Sequence, residues 1–397
     1  DNTELTDSDL GSLITLKLDD ASGNNVTFDA TINADKTVIT INPNSDLPNS
    51  QDVYVAIGTT VEDTVGNTIT AVNATFTTVA LQPSLATEPP LENPLETYSS
   101  STNKHAVSTL GHLSYIAQNT IFWDKAFIQT ADIDATVTKY WDDTDDSGGV
   151  AGDRYNDDND ETSTGINEGF LPIGSNRYSS SYFTGEYDGG GYSINNLTIN
   201  RPSSSQYIGF FGQTQNATIK NLSLTNDNVT GKTVAATLVG LSRNTTIDNC
   251  SSSGNVSGIS FVGGLIGYHY QSSIVRNSYS TVSVSGSGNY VGGLVGYLTS
   301  STILNSYSTG GVMASSVIRG GLVGTRSSST ITDSFYDATT SGQSDTGKGT
   351  GKTTAEMKTL ATFTDTATTG LSTSWDFDTI WNIDNTSTIN NGYPYLR

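Results

Sequence analysis

The tetrad G-L-[VI]-G recurs through the second half of the chain, and its spacing limits the fold more than any other feature. Aligned on the last glycine, the repeats give Gly212, Gly240, Gly267, Gly296 and Gly324. Two positions earlier stand Phe210, Leu238, Leu265, Leu294 and Leu322; one earlier stand Phe211, Val239, Ile266, Val295 and Val323. A second column interleaves with these: Asn196, Asn221, Asn249, Asn277, Asn305 and Asp333, whose last four steps are 28 residues each. A fixed period of this size specifies a solenoid, in which each repeat buries its apolar face only against its neighbours.

The content of a repeat decides which kind. Short apolar bursts rich in Val, Ile and Tyr alternate with Gly, Ser and Asn, and no repeat holds a helical run. Three short strands and three turns per repeat match one coil of a parallel β-helix, whose rungs stack about 4.8 Å apart. Leucines then form a ladder inside, asparagines a ladder at a turn, and glycines sit where φ is positive or backbones approach closely. In "AATLVG" (235–240) Thr237 replaces the first glycine, which predicts local distortion of that coil.

Open strand edges at the ends of a solenoid need covers. "TLGHLSYIAQN" (109–119) places Leu110, Leu113, Ile116 and Ala117 on one helical face, and "TTAEMKTLATF" (353–363) has Thr353 and Glu356 at capping-box spacing. Both predict short capping helices. Ahead of the array, Val26, Phe28, Ala30 and Ile32 alternate with polar residues, and Thr37, Ile39 and Ile41 share one face of a second run. Val53, Val55 and Ile57 make a further run, and "ATFTTVA" (74–80) the last. About five strands result, where a β-sandwich usually has about seven. Residues 81–97 hold four of the nine prolines, the signature of a stiff spacer.

The expected organisation is an all-β chain. An Ig-like β-sandwich lacking its first strand or strands spans 1–80, and a Pro-rich linker spans 81–105. A cap with an acidic insertion covers 106–180, a right-handed parallel β-helix of ~28-residue coils covers 181–340, and a C-terminal cap covers 341–397.

"VGGLIG", "VGGLVG" and "RGGLVG" resemble the GLUG motif of bacterial surface proteins. "FTGEYDGGGYSINNLTI" (183–199) resembles the stretch that opens such arrays, and "WDFDTIWNIDNTSTINNGYPYLR" (375–397) the one that closes them. The resemblance runs over roughly 106–397. It implies a non-catalytic β-helix stalk or platform, as in adhesins and the non-catalytic parts of surface proteases. Residues 15–79 are similar to bacterial Ig-like domains of surface-layer and adhesin proteins. Such domains begin with one or two strands more, so the missing strands lie upstream or come from another subunit by strand addition.

Charge narrows the partners. Forty acids against 18 Lys and Arg give a net charge of −22, so neither nucleic acid nor anionic lipid is an expected partner. No run of about 18 apolar residues predicts direct membrane insertion. Cys250 is the sole cysteine, so no internal disulfide forms, and it takes the place of Ser in the "NSY" motif as a small buried residue. These features fit a bacterial cell surface or extracellular setting. Expected partners are other copies, neighbouring surface domains, or host or matrix glycans and proteins.

Chemistry is sparse. His105, His112 and His269 lack metalloprotease spacing, and no nucleophile elbow occurs, so no enzyme activity is expected. The insertion 141–170 carries ten acids. Asp143, Asp145 and Ser147 before Gly148 supply oxygens at alternate positions as in the first half of a Ca²⁺ loop, and Asp158 and Asp160 repeat the spacing. Arg154 stands where an EF-hand has its bidentate Glu. The segment is either a structural Ca²⁺ site or a solvated acidic loop. Tyr279, Tyr290, Tyr297 and Tyr307 either stack between rungs or stack on sugars. One Ser/Thr per coil, at Thr218, Thr246, Ser273, Thr302 and Thr330, is too sparse for an ice-binding array.

Overall fold

The structure is a computed structural model that describes residues 10–11, 13–32, 39–44, 52–58, 72–77, 98–99, 103–141, 168–175, 182–203, 207–384 and 386–397. Contacts divide the chain into two compact units, Asp1–Leu85 and Ala86–Arg397. The first is β throughout its described strands. Ile14–Leu18, Asp52–Ile57 and Val72–Thr77 form an antiparallel three-stranded sheet with the middle segment central, and Phe28–Ile32 pairs with Ile39–Pro43 as a hairpin. Leu16 and Val53 are buried, as the alternating pattern requires.

The second unit is a parallel β-solenoid of about five turns. One coil shows how it is made. Ser223–Gly231 runs along a first face, Val234–Ala235 along a second, Val239–Arg243 along a third and Thr246–Asp248 along a fourth. Each then pairs in parallel with its counterpart one coil on. The coil thus has four strand segments rather than three, because the tetrad sits on a bend that separates the second face from the third. At that bend a Cβ on Gly263 would stand 1.9 Å from the carbonyl oxygen of Ile266, and one on Gly292 would stand 2.1 Å from that of Val295. Close approach, not positive φ, is why these positions are glycine.

The predicted ladders are real. Phe210, Leu238, Leu265, Leu294 and Leu322 are fully buried, as are Ile219, Ile247, Val275 and Ile303 on the fourth face. Burying one such side chain contributes about 1.5–3 kcal/mol, so the repeated interior is the main source of stability. The core starts aromatic, with Phe127, Phe183, Tyr187, Phe210 and Phe211 packed ring on ring, and becomes aliphatic along the array.

Asparagine stands at the corner after the fourth face because its backbone turns left-handed there. Asn221, Asn249, Asn277, Asn305 and Asp333 have φ between 46° and 56°, a region that Asn and Asp tolerate better than other side chains. Asn196, expected at the head of this column, is also left-handed but follows Ser193–Asn195 on the first face, where its backbone amide donates to the Thr225 carbonyl; Gly189 holds the corner after Glu186–Asp188. The corner side-chain amides link the rungs: Asn249 Nδ2 donates to Asn221 Oδ1 at 2.9 Å, and Asn277 Nδ2 to Asp248 Oδ1 at 3.0 Å. The next position holds a hydroxyl ladder. Ser278 Oγ donates to the Arg276 carbonyl and accepts from the Cys250 amide one rung away, and Ser306 repeats the arrangement. Cys250 occupies that ladder, fully buried as expected, and burial pushes its thiol up to about 12.

Thr237 disturbs little. Its hydroxyl donates to the Gly264 carbonyl at 2.6 Å, and the second-face pairing shrinks to Ala235 with Val262, while the third face keeps its register. The covers also form. Thr109 caps the helix Leu110–Gln118, whose Leu113, Ile116 and Ala117 are fully buried. Thr353 and Glu356 make the expected capping box, but the segment is two single turns, Thr354–Met357 and Ala361–Thr364, rather than one helix. Asp333, last of the corner ladder, accepts from Ser372 Oγ at 2.9 Å and ties the chain beyond these two turns to the final rung.

Candidate functional site

Asp143, Asp145, Ser147, Asp158 and Asp160, the expected Ca²⁺ ligands, lie outside the described residues. Among the described residues no three His, Cys, Asp or Glu side chains gather to hold an ion. The histidines lie on separate elements: His105 in Lys104–Val107, His112 in the capping helix and His269 in Ile266–Tyr270. His269 Nδ1 shares a hydrogen bond with Ser242 Oγ on the adjacent rung, but both groups are fully buried inside the coil. Burial pushes the imidazole down to about 3. A Ser–His pair sealed from solvent reaches no substrate and serves the interior as a polar rung.

On the fourth face the outward column reads Asp188, Lys220, Asp248, Arg276 on successive rungs. Lys220 lies 3.6 Å from Asp188, and Arg276 lies 2.8 Å from Asp248. Lys104 bridges Glu186 and Asp188 at 2.8 and 2.9 Å. Burial raises both carboxyls, and the hydrogen bonds that Lys104 and its neighbours donate outweigh it, so Glu186 and Asp188 end below their ordinary values. The residue beside Thr246 and Thr302 in the neighbouring column is Ile274, not Ser273, because Ser273 points inward and is fully buried. That column is therefore broken by an apolar rung.

The tyrosines separate into two ladders. Tyr279 stacks on Tyr307 at 5.0 Å and 2°, and the ladder continues to Phe335 on the next rung. The C-terminal segment closes over it with Trp375, Trp381 and Tyr393, and Asn390 Nδ2 donates to Tyr307 Oη at 2.8 Å. Of the four tyrosines posed as sugar platforms, Tyr307 is fully buried, while Tyr279, Tyr290 and Tyr297 are half-buried.

The second ladder is on the third face. Its outward columns read Gln213, Leu241, Tyr268, Tyr297, Thr325 and Gln215, Arg243, Tyr270, Thr299, Ser327. Tyr268 stacks on Tyr297 at 5.1 Å and 11°, and Tyr270 on Tyr268 at 5.0 Å. Phe261 and Tyr290 add to the cluster from the adjoining corner, 4.7 Å apart, with Tyr290 stacked on Tyr297 at 5.1 Å. All five rings are partly exposed. Phe261 and Tyr290 hold φ of 52° and 67°, conformations that cost bulky residues about 1–3 kcal/mol each. Burial raises the phenol of Tyr268, and Tyr297, Tyr270 and Tyr207 add to it. Burial also raises that of Tyr270, opposed by Arg243 and reinforced by Tyr182 and Tyr207. Arg243 and Tyr182, with Asp124 and Gln215, line a groove of about 660 Å³, and Arg243 joins it to the ladder as the rung neighbour of Tyr270. Sequence reasoning missed Phe261, Tyr268 and Tyr270. A signal existed, since Tyr follows the tetrad glycine in both "GLIGY" and "GLVGY".

Residues 2–78 match the bacterial Ig-like domain family, and residues 262–285 and 287–313 match the GLUG motif. The class is thus an Ig-like domain joined to a GLUG-motif β-solenoid. Halomucin of Haloquadratum walsbyi is 31% identical over 172 residues, which is 43% of this chain and 2% of halomucin, so the chain spans only a small fraction of that relative. A solved structure from Bacteroides ovatus, provisionally described as an immunoglobulin A1 protease, superposes with a TM-score of 0.51 at 17% identity. It covers 76% of this chain and 94% of that one, a likeness of fold alone.

Proposed function

We propose that this chain is a non-catalytic, extracellular structural protein of a bacterial cell surface, its β-solenoid serving as a stalk or platform for adhesion. One observation carries the reading: corner amides, inward hydroxyls and the charge column all bond from rung to rung, and the Ser–His pair is sealed inside. Among the described residues, these polar and charged side chains serve to hold the coils together. The relationship to halomucin and the Ig-like domain support a surface setting, and no described helix is long and apolar enough to cross a membrane. The test is antibody labelling and protease shaving of intact producing cells, followed by adhesion assays with and without the protein. Labelling only after lysis would sink the reading.

A second reading is an extracellular filament or surface layer. In the N-terminal sheet Val72–Thr77 pairs with Asp52–Ile57 on one side alone among the described residues, leaving an edge able to accept a donated strand. Electron microscopy of purified protein checks it, and a uniformly monomeric particle removes it. The acidic insertion has the role of a structural Ca²⁺ loop in either reading. Adding EGTA then lowers the melting temperature, by an amount equivalent to about 2.7 kcal/mol where free Ca²⁺ was a hundred times its Kd; an unchanged melting temperature leaves only a solvated loop.

A further inference from the structure

We propose that the open tyrosine ladder and the groove beside it form a binding site for a neutral polysaccharide chain. The inference names a ligand for the platform and so rests on the adhesive reading above. Three observations carry it. First, the rings are placed at a cost: Phe261 and Tyr290 are bulky residues held in left-handed backbone, and both add their rings to a cluster that remains partly exposed. The core does not need them, since Leu265, Ile266, Leu294 and Val295 already fill the interior of the same coils. Backbone strain of this kind gathers at binding sites, where the surrounding structure maintains it.

Second, the geometry suits a chain of sugar rings. Stacked tyrosines repeat at the rung spacing, 5.1 Å between Tyr268 and Tyr297, close to the length of one sugar unit in an extended polysaccharide. The rings stack face on face, so a sugar meets their exposed edges, where the phenol hydroxyls exchange hydrogen bonds with its hydroxyls and the ring rims pack against its C–H groups. The groove continues the path from Tyr270 and supplies Gln215, Arg243 and Asp124, an amide, a guanidinium and a carboxylate suited to fixing hydroxyl groups. Its volume of about 660 Å³ falls within the usual range of small-molecule sites.

Third, charge selects the ligand. The two outward columns of the third face contain one charged residue, Arg243, on a chain of net charge −22. The overall field repels polyanions such as uronate polymers. The columns offer no carboxylate, and the groove's one carboxylate, Asp124, is already paired with Lys125 at 2.8 Å, which leaves little to hold a cationic peptide. A neutral glycan meets neither penalty.

The experiment uses the full chain. Calorimetric titration is run with cellohexaose, xylohexaose, maltohexaose and N-acetylated chitohexaose, with hyaluronan and a lysine-rich peptide as charged probes. The expected result is millimolar or tighter binding of at least one neutral hexasaccharide. Tyr268→Ala and Tyr297→Ala should each weaken it about two- to tenfold, and the double variant should abolish it. Tyr192→Ala, an exposed tyrosine outside the ladder, should leave it unchanged. Circular dichroism confirms that the variants are folded. Absence of binding to every neutral probe, equal binding by the double variant, or preference for hyaluronan or the peptide each overturns the proposal. Surface labelling of intact cells reads the adhesive assignment independently, so failure of the two can be told apart.

Discussion

Two aromatic ladders run along the same solenoid, and they meet opposite fates. On the first face Tyr307 and Phe335 are fully buried under Trp375, Trp381 and Tyr393 of the C-terminal segment, and Tyr279 packs half-buried against the same cluster. Tyr268 and Tyr297 on the third face stack just as closely yet keep exposed edges. Rung-to-rung stacking is therefore a property of the repeat, and it says nothing about whether a ring is structural. What decides that is whether another part of the chain returns to cover it.

Truncation separates the ladders most sharply. Tyr307→Ala should cost about 3–5 kcal/mol of unfolding free energy, because it removes a buried ring and leaves a cavity under the cover. Urea denaturation checks this, and a cost below that of Tyr268→Ala would reverse the comparison. Beneath the open ladder, on the same strand as Tyr268, His269 gives a pH signature. Its folded value is about 3 against 6.5 unfolded, so the folded chain binds fewer protons. That contribution is intact above pH 6.5 and is lost as pH falls toward 3, at up to about 1.4 kcal/mol per pH unit. Asp227, buried and pushed well above its ordinary value, acts in the opposite sense, so its contribution is lost as pH rises through its folded value. The difference between wild type and His269→Leu isolates the histidine, and parallel stability curves would discard it.

Smaller effects test what the two faces share. Asn249→Ala should cost about 1–2 kcal/mol, since Ala is poorly suited to left-handed backbone, whereas Asn249→Gly should recover most of this despite losing the amide ladder bond. Equal costs would show that hydrogen bonding, not backbone conformation, selects Asn. Tyr268→Ala should lie within about 1 kcal/mol of wild type in thermal and urea melts. A loss as large as that of Tyr307→Ala would make the open ladder structural.

Much of the solenoid was legible in the sequence because its ladders repeat at a near-fixed step and use the same residue type each time. The Leu and Asn columns, the Thr109 cap and the Thr353–Glu356 box are such cases. A second left-handed corner was hidden because its occupants change identity. Asn216, Asn244, Ser272, Ser300 and Ser328 all have positive φ, but only two are asparagine. Ser273 was misplaced by one residue, because the loop before it leaves the hydroxyl inward and puts Ile274 in the outward column. The split between the tyrosine ladders was beyond local reading altogether: Tyr307 is buried by residues more than sixty positions away in sequence, such as Trp375 and Tyr393. The acidic insertion stays an expectation from its spacing, since its five named oxygen donors lie outside the described residues.

The charge column on the fourth face gives the array a parity. Asp188, Lys220, Asp248 and Arg276 alternate in sign, so excising the single coil that carries Asp248 would set Lys220 against Arg276. Excising that coil together with the one before it would set Asp188 against Arg276 and restore attraction. In this stretch the rod is thus more tolerant of losing coils in pairs than singly, and a lineage that lengthens or shortens it by duplication meets the same rule.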